Sequence, residues 1–201
     1  MALNDSYKRW HTPKRNNFNE NGNLKKGETY QGYYKVQHPE KYIGNVNTII
    51  YRSSWELAFL RWCDYSPSII KFSSEPISIP YYDRISKLEE CKKYGLNPND
   101  PKNWVIKNYH TDFWVEIDKG NREIQKMFIE IKPSNKLKKP IPPDKNASLK
   151  EHRRFNIQAR EYLINEAKFA SMKAYAEKNN ANFFVFTEKT LQQLVGKFFI
   201  E

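Results

Sequence analysis

The spacing of apolar residues changes period several times along the chain, and each change marks a predicted element. Trp55, Phe59, Trp62 and Cys63 recur at helical spacing behind Ser53, a residue suited to an N-cap, which predicts a helix opening at 53–56 and stopping before Pro67. Short β-like runs follow at 69–72, 76–81, 109–117 and 126–132, with a Gly120-Asn121 turn joining the last two into a hairpin. Along 126–132 side chains alternate faces, so Met127, Ile129 and Ile131 point into a core while Glu130 and Lys132 project together from the other face. Residues 83–108 read as an insertion at a strand connection: a short helix ended by Gly95, then a turn-rich loop. The stretch 148–178 is a long helix, opened by a Ser148/Glu151 capping box, with Leu163, Ala167, Ala170 and Ala174 as its packing stripe. Residues 182–186 read as a buried strand, and Thr187 caps a last short helix reaching about residue 195. There is no internal repeat. The order helix, strands, helix, strand, helix indicates an α/β fold with a mixed central sheet flanked by helices.

Composition narrows the partners. The 201 residues carry 34 Lys plus Arg against 23 Asp plus Glu, a formal charge of +11, which favours a polyanion and above all nucleic acid. No apolar run approaches the ~20 residues of a membrane span and the N-terminus lacks the apolar stretch of a signal peptide, so a cytosolic protein, or one assembled into something made in the cytosol, is expected. Cys63 and Cys91 are too few for a disulfide framework, and His11, His38, His110 and His152 form no zinc pattern. Residues 1–40 lack a sustained apolar period, but interleave Lys8, Arg9, Lys14, Arg15, Lys25 and Lys26 with Tyr7, Trp10, Phe18 and Tyr30. They read as a basic aromatic arm that orders on a partner, with protein docking ahead of base stacking, and residues 41–201 as the folded domain.

The chemistry concentrates in Glu130-Ile131-Lys132 and in Tyr109-His110-Thr111-Asp112-Phe113. An acid and an amine side by side on a strand, with an Asp on a neighbouring strand, give two anionic oxygen donors for a hard divalent cation beside a lysine able to face a phosphate. An exposed Glu/Lys pair at i, i+2 is by itself an ordinary solvated pair. What sets this one apart is the apolar opposite face, the strand end before Pro133 and the basic loop beyond. Asp112 stands among β-formers, where Asp is unfavourable unless exposed or needed. Glu56 lies three residues after Ser53 and could simply close a capping box. Glu116 reads as a solvated strand position, and His110 as a core or rim residue. Lys136, Lys138, Lys139, Lys145, Lys150, Arg153 and Arg154 follow the acidic strand directly and could grip backbone phosphates without reading sequence.

Five segments in order, Arg52-Ser53-Ser54-Trp55-Glu56, Thr111-Asp112-Phe113, Glu130-Ile131-Lys132-Pro133, Asn165-Glu166-Ala167-Lys168-Phe169 and Phe186-Thr187-Glu188-Lys189, resemble the head-completion nucleases of T-even-type tailed bacteriophages. Those proteins belong to the PD-(D/E)xK restriction-endonuclease-like superfamily and are similar to the endonuclease subunit of Tn7-type transposases. The likeness spans roughly 41–194 without the insertion. It implies a restriction-endonuclease-like core and a metal-dependent DNA endonuclease that trims packaged DNA and completes the head, in the virion or in the host cytoplasm during assembly. Matched position by position, it implies Glu56, Asp112, Glu130 and Lys132 as catalytic residues. The implied ligands for Mg²⁺ or Mn²⁺ are Asp112, Glu130 and the Ile131 carbonyl, with Glu56 direct or through water. Thr111 stands where the superfamily has proline. The implied partners of the arm are portal, neck or head proteins. Two other readings stay open: a non-catalytic structural head or neck protein on a nuclease scaffold, and a transposase-like or junction-resolving nuclease.

Overall fold

A computed structural model describes residues 31–195. Its central sheet is four-stranded and mixed. Strands β3 (Ile69–Ser74), β6 (Phe113–Asp118), β7 (Ile124–Ile131) and β8 (Asn182–Phe186) lie in that order, antiparallel except for the parallel β7–β8 pair. Two short ribbons flank it. Strand β1 (Gly32–Tyr33) pairs with β2 (Ile50–Tyr51), and β4 (Ser78–Asp83) pairs with β5 (Val105–His110).

Helix α1 (Ser54–Tyr65) starts where the sequence predicts, with the Ser53 hydroxyl accepting from the Glu56 N–H, and ends before Pro67. Together with α4 (Glu188–Val195) it covers one sheet face. Phe59, fully buried, meets the rings of Trp62, Phe113 and Phe186 at centroid distances of 5.4, 4.8 and 6.0 Å. Met127, Ile129 and Ile131 point into this core, as their alternation predicts. The opposite face is also covered. Helix α3 (Leu149–Lys178) lies over it with β4, and Phe128 packs there against Ile79, Tyr81, Tyr109, Met172 and Ala176. Glu130, on that same face, is therefore 3% exposed and not at a solvated surface. This is the restriction-endonuclease-like arrangement, a mixed sheet between helical layers.

Five expectations need correcting. The run 109–117 is not one strand. It breaks at Thr111-Asp112, because β5 leaves the central sheet to pair with β4 while β6 stays in it. The paired β3–β4 segment bends at the same place: β3 ends at Ser74, opposite Phe113, and β4 begins at Ser78, opposite His110, with Glu75 at φ 46° and its N–H bonded to the Asp112 carbonyl. Two paired strands thus turn a corner together, which local β propensity does not reveal.

The predicted insertion is the far end of this bent ribbon. Val105 to Asn108 belong to β5 and Asp83 to β4, leaving α2 (Leu88–Tyr94), stopped by Gly95 at φ 64°, and a loop between them. On α3 the buried line runs through Asn165, Met172 and Ala176, while Leu163, Ala170 and Ala174 are exposed. The 30-residue helix has alanines all round, so small residues alone do not mark its packing face. Strand β8 lies at a sheet edge, with Phe184 39% exposed, instead of being buried.

The folded unit also begins before residue 41. Residues 32–41 are held by Asp64 at the end of α1, which accepts from the Tyr34 hydroxyl at 2.6 Å, the Gln37 N–H at 2.8 Å, the His38 N–H at 2.9 Å and His38 Nδ1 at 3.0 Å. The basic aromatic stretch before residue 31, assigned as an arm, lies outside the described residues.

Candidate active site

Three elements converge at the corner: the start of α1, the Thr111-Asp112 break and the end of β7. Thr111, fully buried, donates from its hydroxyl to the Ile129 carbonyl at 3.2 Å, where the ladder is interrupted. That bond ties down the backbone just before Asp112. Asp112 Oδ2 accepts from the Ile131 N–H at 2.7 Å. The N–H and C=O of one strand residue leave by the same edge, so the Ile131 carbonyl faces the same gap as Asp112.

Glu130 is held from two sides. Its Oε1 pairs with Lys132 Nζ at 2.9 Å, and its Oε2 accepts from the Tyr109 hydroxyl at 2.6 Å. The loop beyond β7 is clamped in turn: the Lys132 N–H donates to the Phe186 carbonyl, and the Ser134 N–H and hydroxyl donate to Glu188. Glu56 is the third acid. Its Oε2 accepts from the Arg52 N–H at 2.8 Å and its Oε1 from the Ser53 hydroxyl at 3.0 Å, so Glu56 reaches back to its helix start, one residue short of closing the box on the Ser53 N–H. Arg52 also pairs with Glu75, tying the helix start to the corner.

The charges of the three acids act on one another. Burial pushes the Asp112 carboxyl well above its ordinary range, and the charges of Glu130 and Glu56 push it the same way. Burial likewise raises Glu56, against the hydrogen bonds from Arg52 and Ser53. Burial alone would lower the Lys132 ammonium, but Glu130 beside it and Asp112 beyond reverse the sign and hold it up. Carboxylates that disfavour one another's ionisation in a partly desolvated corner are a donor set that a divalent cation would relieve, so Asp112, Glu130 and the Ile131 carbonyl fit such an ion. Among the described residues no three His, Cys, Asp or Glu side chains form a ready-made cage. Both Glu56 oxygens are engaged at its own helix start, and its charge reaches Asp112.

A family model described as TnsA-like endonuclease N terminal matches residues 66–188. The chain belongs to the TnsA-like endonuclease family. The head completion nuclease of Enterobacteria phage T4 is 30% identical to it over 165 residues, which are 82% of this chain and 95% of that protein. The family match contains Asp112, Glu130 and Lys132, and it begins after Glu56.

Within this family framework two further residues border the site. Tyr109 carries the hydroxyl that holds Glu130, and Lys168 on α3 sets its Nζ 5.4 Å from the centre of the Tyr109 ring and 5.6 Å from that of Tyr81. Lys168 lies in one of the segments that carry the resemblance and Tyr109 just ahead of another. Their types gave no signal, since Tyr in a strand and Lys in a helix are ordinary. Glu116 pairs with Lys126 at 3.6 Å away from the corner, and His110 is exposed on the ribbon, so neither joins the acids.

The seven basic residues divide. Lys136, Lys138, Lys139 and Arg154 line one groove of about 410 Å³ between the post-β7 loop and α3, where Lys136 pairs with Glu161 at 2.6 Å. Lys145, Lys150 and Arg153 are exposed and are not among its lining residues. No described helix is long and apolar enough to cross a membrane.

Proposed function

We propose that this protein is a divalent-cation-dependent DNA endonuclease of the PD-(D/E)xK type that acts in completing a phage head. The observation supporting this most directly is the convergence of Asp112, Glu130 and Lys132 at a corner bordered by a basic groove. The likeness to a phage head completion nuclease supports the biological setting. Asp112, Glu130 and the Ile131 carbonyl would hold Mg²⁺ or Mn²⁺. Bound there, such an ion acidifies a water and offsets charge on the scissile phosphate.

The chain's own groups do the rest. Thr111 and the Ile131 N–H fix Asp112, and Tyr109 fixes Glu130. Lys132, charged and half-buried, orients the attacking water or faces the phosphate oxygens as negative charge builds there. The water oxygen forms a bond to phosphorus as the bond to the 3′ oxygen breaks. The water gives up a proton and the leaving oxygen gains one, so the products are a 5′-phosphate and a 3′-hydroxyl. The groove basics grip flanking phosphates, and the stretch before residue 31 docks on portal or neck proteins.

The test is digestion of linear, nicked and branched DNA with Mg²⁺, Mn²⁺ or EDTA, comparing the natural protein with Asp112→Ala and Lys132→Ala. Cleavage that needs the metal and disappears in both variants, with DNA binding retained, is the expected result. Binding without cleavage under every metal would leave a structural head protein instead.

A further inference from the structure

We propose that Lys168, reaching in from α3, is a second cation of the active site and contacts a non-bridging oxygen of the scissile phosphate while Lys132 remains with Glu130. This rests on the nuclease reading above.

The two lysines are engaged in different ways. Lys132 Nζ is paired with a buried carboxylate at 2.9 Å, which neutralises much of its charge. Lys168 has no ion pair among the described residues. Its ammonium instead sits over two tyrosine rings, at 5.4 and 5.6 Å from their centres, and one of those tyrosines is the residue whose hydroxyl holds Glu130. Two ring faces localise a cation without cancelling its charge. Lys168 is therefore pre-positioned at the edge of the acidic group with its hydrogen-bond donors open.

Burial, and next the charge of Lys132, pull the Lys168 ammonium below its ordinary range, against the opposing pull of Glu130 and Asp112. An entering anion relieves both. Lysine is an expensive choice for merely covering the rings, since Met or Leu would pack there at no electrostatic cost.

The same helical stripe carries a second under-satisfied donor. Asn165, one turn earlier and 6% exposed, has a buried side-chain N–H group without an acceptor. An unmade buried hydrogen bond is a cost that a purely structural stripe would avoid by using an apolar residue. The stripe also connects the two parts of the DNA path. Glu161, at the groove, lies four residues before Asn165 and seven before Lys168, and beyond them Met172 enters the core.

The experiment uses Lys168→Met, which keeps the aliphatic stem over the rings, and Lys168→Arg, which keeps the charge. Lys168→Gln serves as a second neutral variant should Met alter the melting transition. Duplex DNA binding is measured in EDTA across a salt series, and cleavage is measured in Mg²⁺ at saturating DNA. The expected result for the neutral variant is a salt slope smaller by about 0.9, the equivalent of one phosphate no longer neutralised. Its turnover should fall about 10²-fold, as for removal of a donor that stabilises transition-state charge. Arginine should restore most of both.

Slope and turnover both unchanged in Lys168→Met would overturn the proposal. Equal damage in the Met and Arg variants, with lowered melting temperatures, would make the role structural and overturn it too. A smaller slope with full turnover would move Lys168 to a flanking phosphate and remove it from the scissile one. If the natural protein cleaves nothing, the nuclease reading fails by itself. The slope then decides whether Lys168 meets a phosphate at all.

Discussion

Asp112 is where function and stability oppose each other most directly. Its folded pKa lies above the unfolded value of ~3.9, because burial and the neighbouring Glu130 and Glu56 disfavour the charged form. The folded state therefore binds the proton more tightly, and stability falls as pH rises from the unfolded value towards the folded one. In EDTA, Asp112→Asn keeps an oxygen to accept from Ile131 and removes the charge. It should raise stability by about 1 kcal/mol at pH 7 and leave it unchanged near pH 3, as read by denaturant melts at the two pH values. Adding Mg²⁺ should stabilise the natural protein and not the variant. A second residue-level prediction concerns Tyr109, whose hydroxyl bond to Glu130 sets the orientation of that carboxylate. Tyr109→Phe should raise the Mg²⁺ concentration for half-maximal cleavage about tenfold, the usual cost of losing a hydrogen bond behind a metal ligand. An unchanged metal titration would remove Tyr109 from the site.

At the scale of elements, helix starts, the hairpin and the alternation along β7 were legible in the sequence because each is a local property. Ser53 and Ser148 do cap their helices, and the Ser148/Glu151 box is complete. The corner was not legible. It exists because two paired strands bend together at Glu75 and Thr111-Asp112, and the Thr111 hydroxyl that substitutes for a ladder bond reaches 18 residues along the chain to Ile129. For the same reason Asp112 and Glu130 could be named from their motif, while the Tyr109 and Lys168 that frame them could not, since their roles depend on which helix covers the sheet. Asp64 was missed likewise. It reads as one more polar residue near a helix end, yet it is fully buried and gathers residues 34–38. Burial alone would raise its carboxyl, but its hydrogen-bond donors outweigh that and hold it below the ordinary value. Its contribution is complete above the unfolded pKa of ~3.9 and is lost as pH falls through the lower folded value. Asp64→Ala should cost about 2–4 kcal/mol, since it strands the Tyr34 hydroxyl and two backbone N–H groups. Hydrogen exchange should then show residues 32–41 opening while α3 stays protected. A change below about 0.5 kcal/mol would show that the segment is held by its apolar contacts alone.

For the molecule as a whole, the formal charge of +11 says that a polyanion is attracted but not where it lies. The fold supplies the direction. The loop after β7 is clamped to β8 and α4 through Phe186 and Glu188, so Lys138 and Lys139 are carried on a fixed support directly beyond Lys132, facing Arg154 across the groove. Lys136, in the same groove, already spends much of its charge on Glu161. The triple variant Lys138→Ala, Lys139→Ala, Arg154→Ala should therefore lower the slope of log affinity against log salt by about 2–3 on duplex DNA, irrespective of sequence. Lys136→Ala alone should lower it by much less than one. Under the proposed function these side chains meet flanking phosphates and not the reacting one, so the triple variant should lose cleavage through a raised KM, with turnover at saturating DNA largely kept. Lys145, Lys150 and Arg153 provide the comparison, being equally basic and exposed but not part of the groove lining. If alanine at those three lowers the slope as much as at the groove three, attraction is a property of total charge and the duplex has no fixed track. If only the groove three matter, the DNA runs along α3 towards Lys132, and the +11 charge is read through one face of the fold.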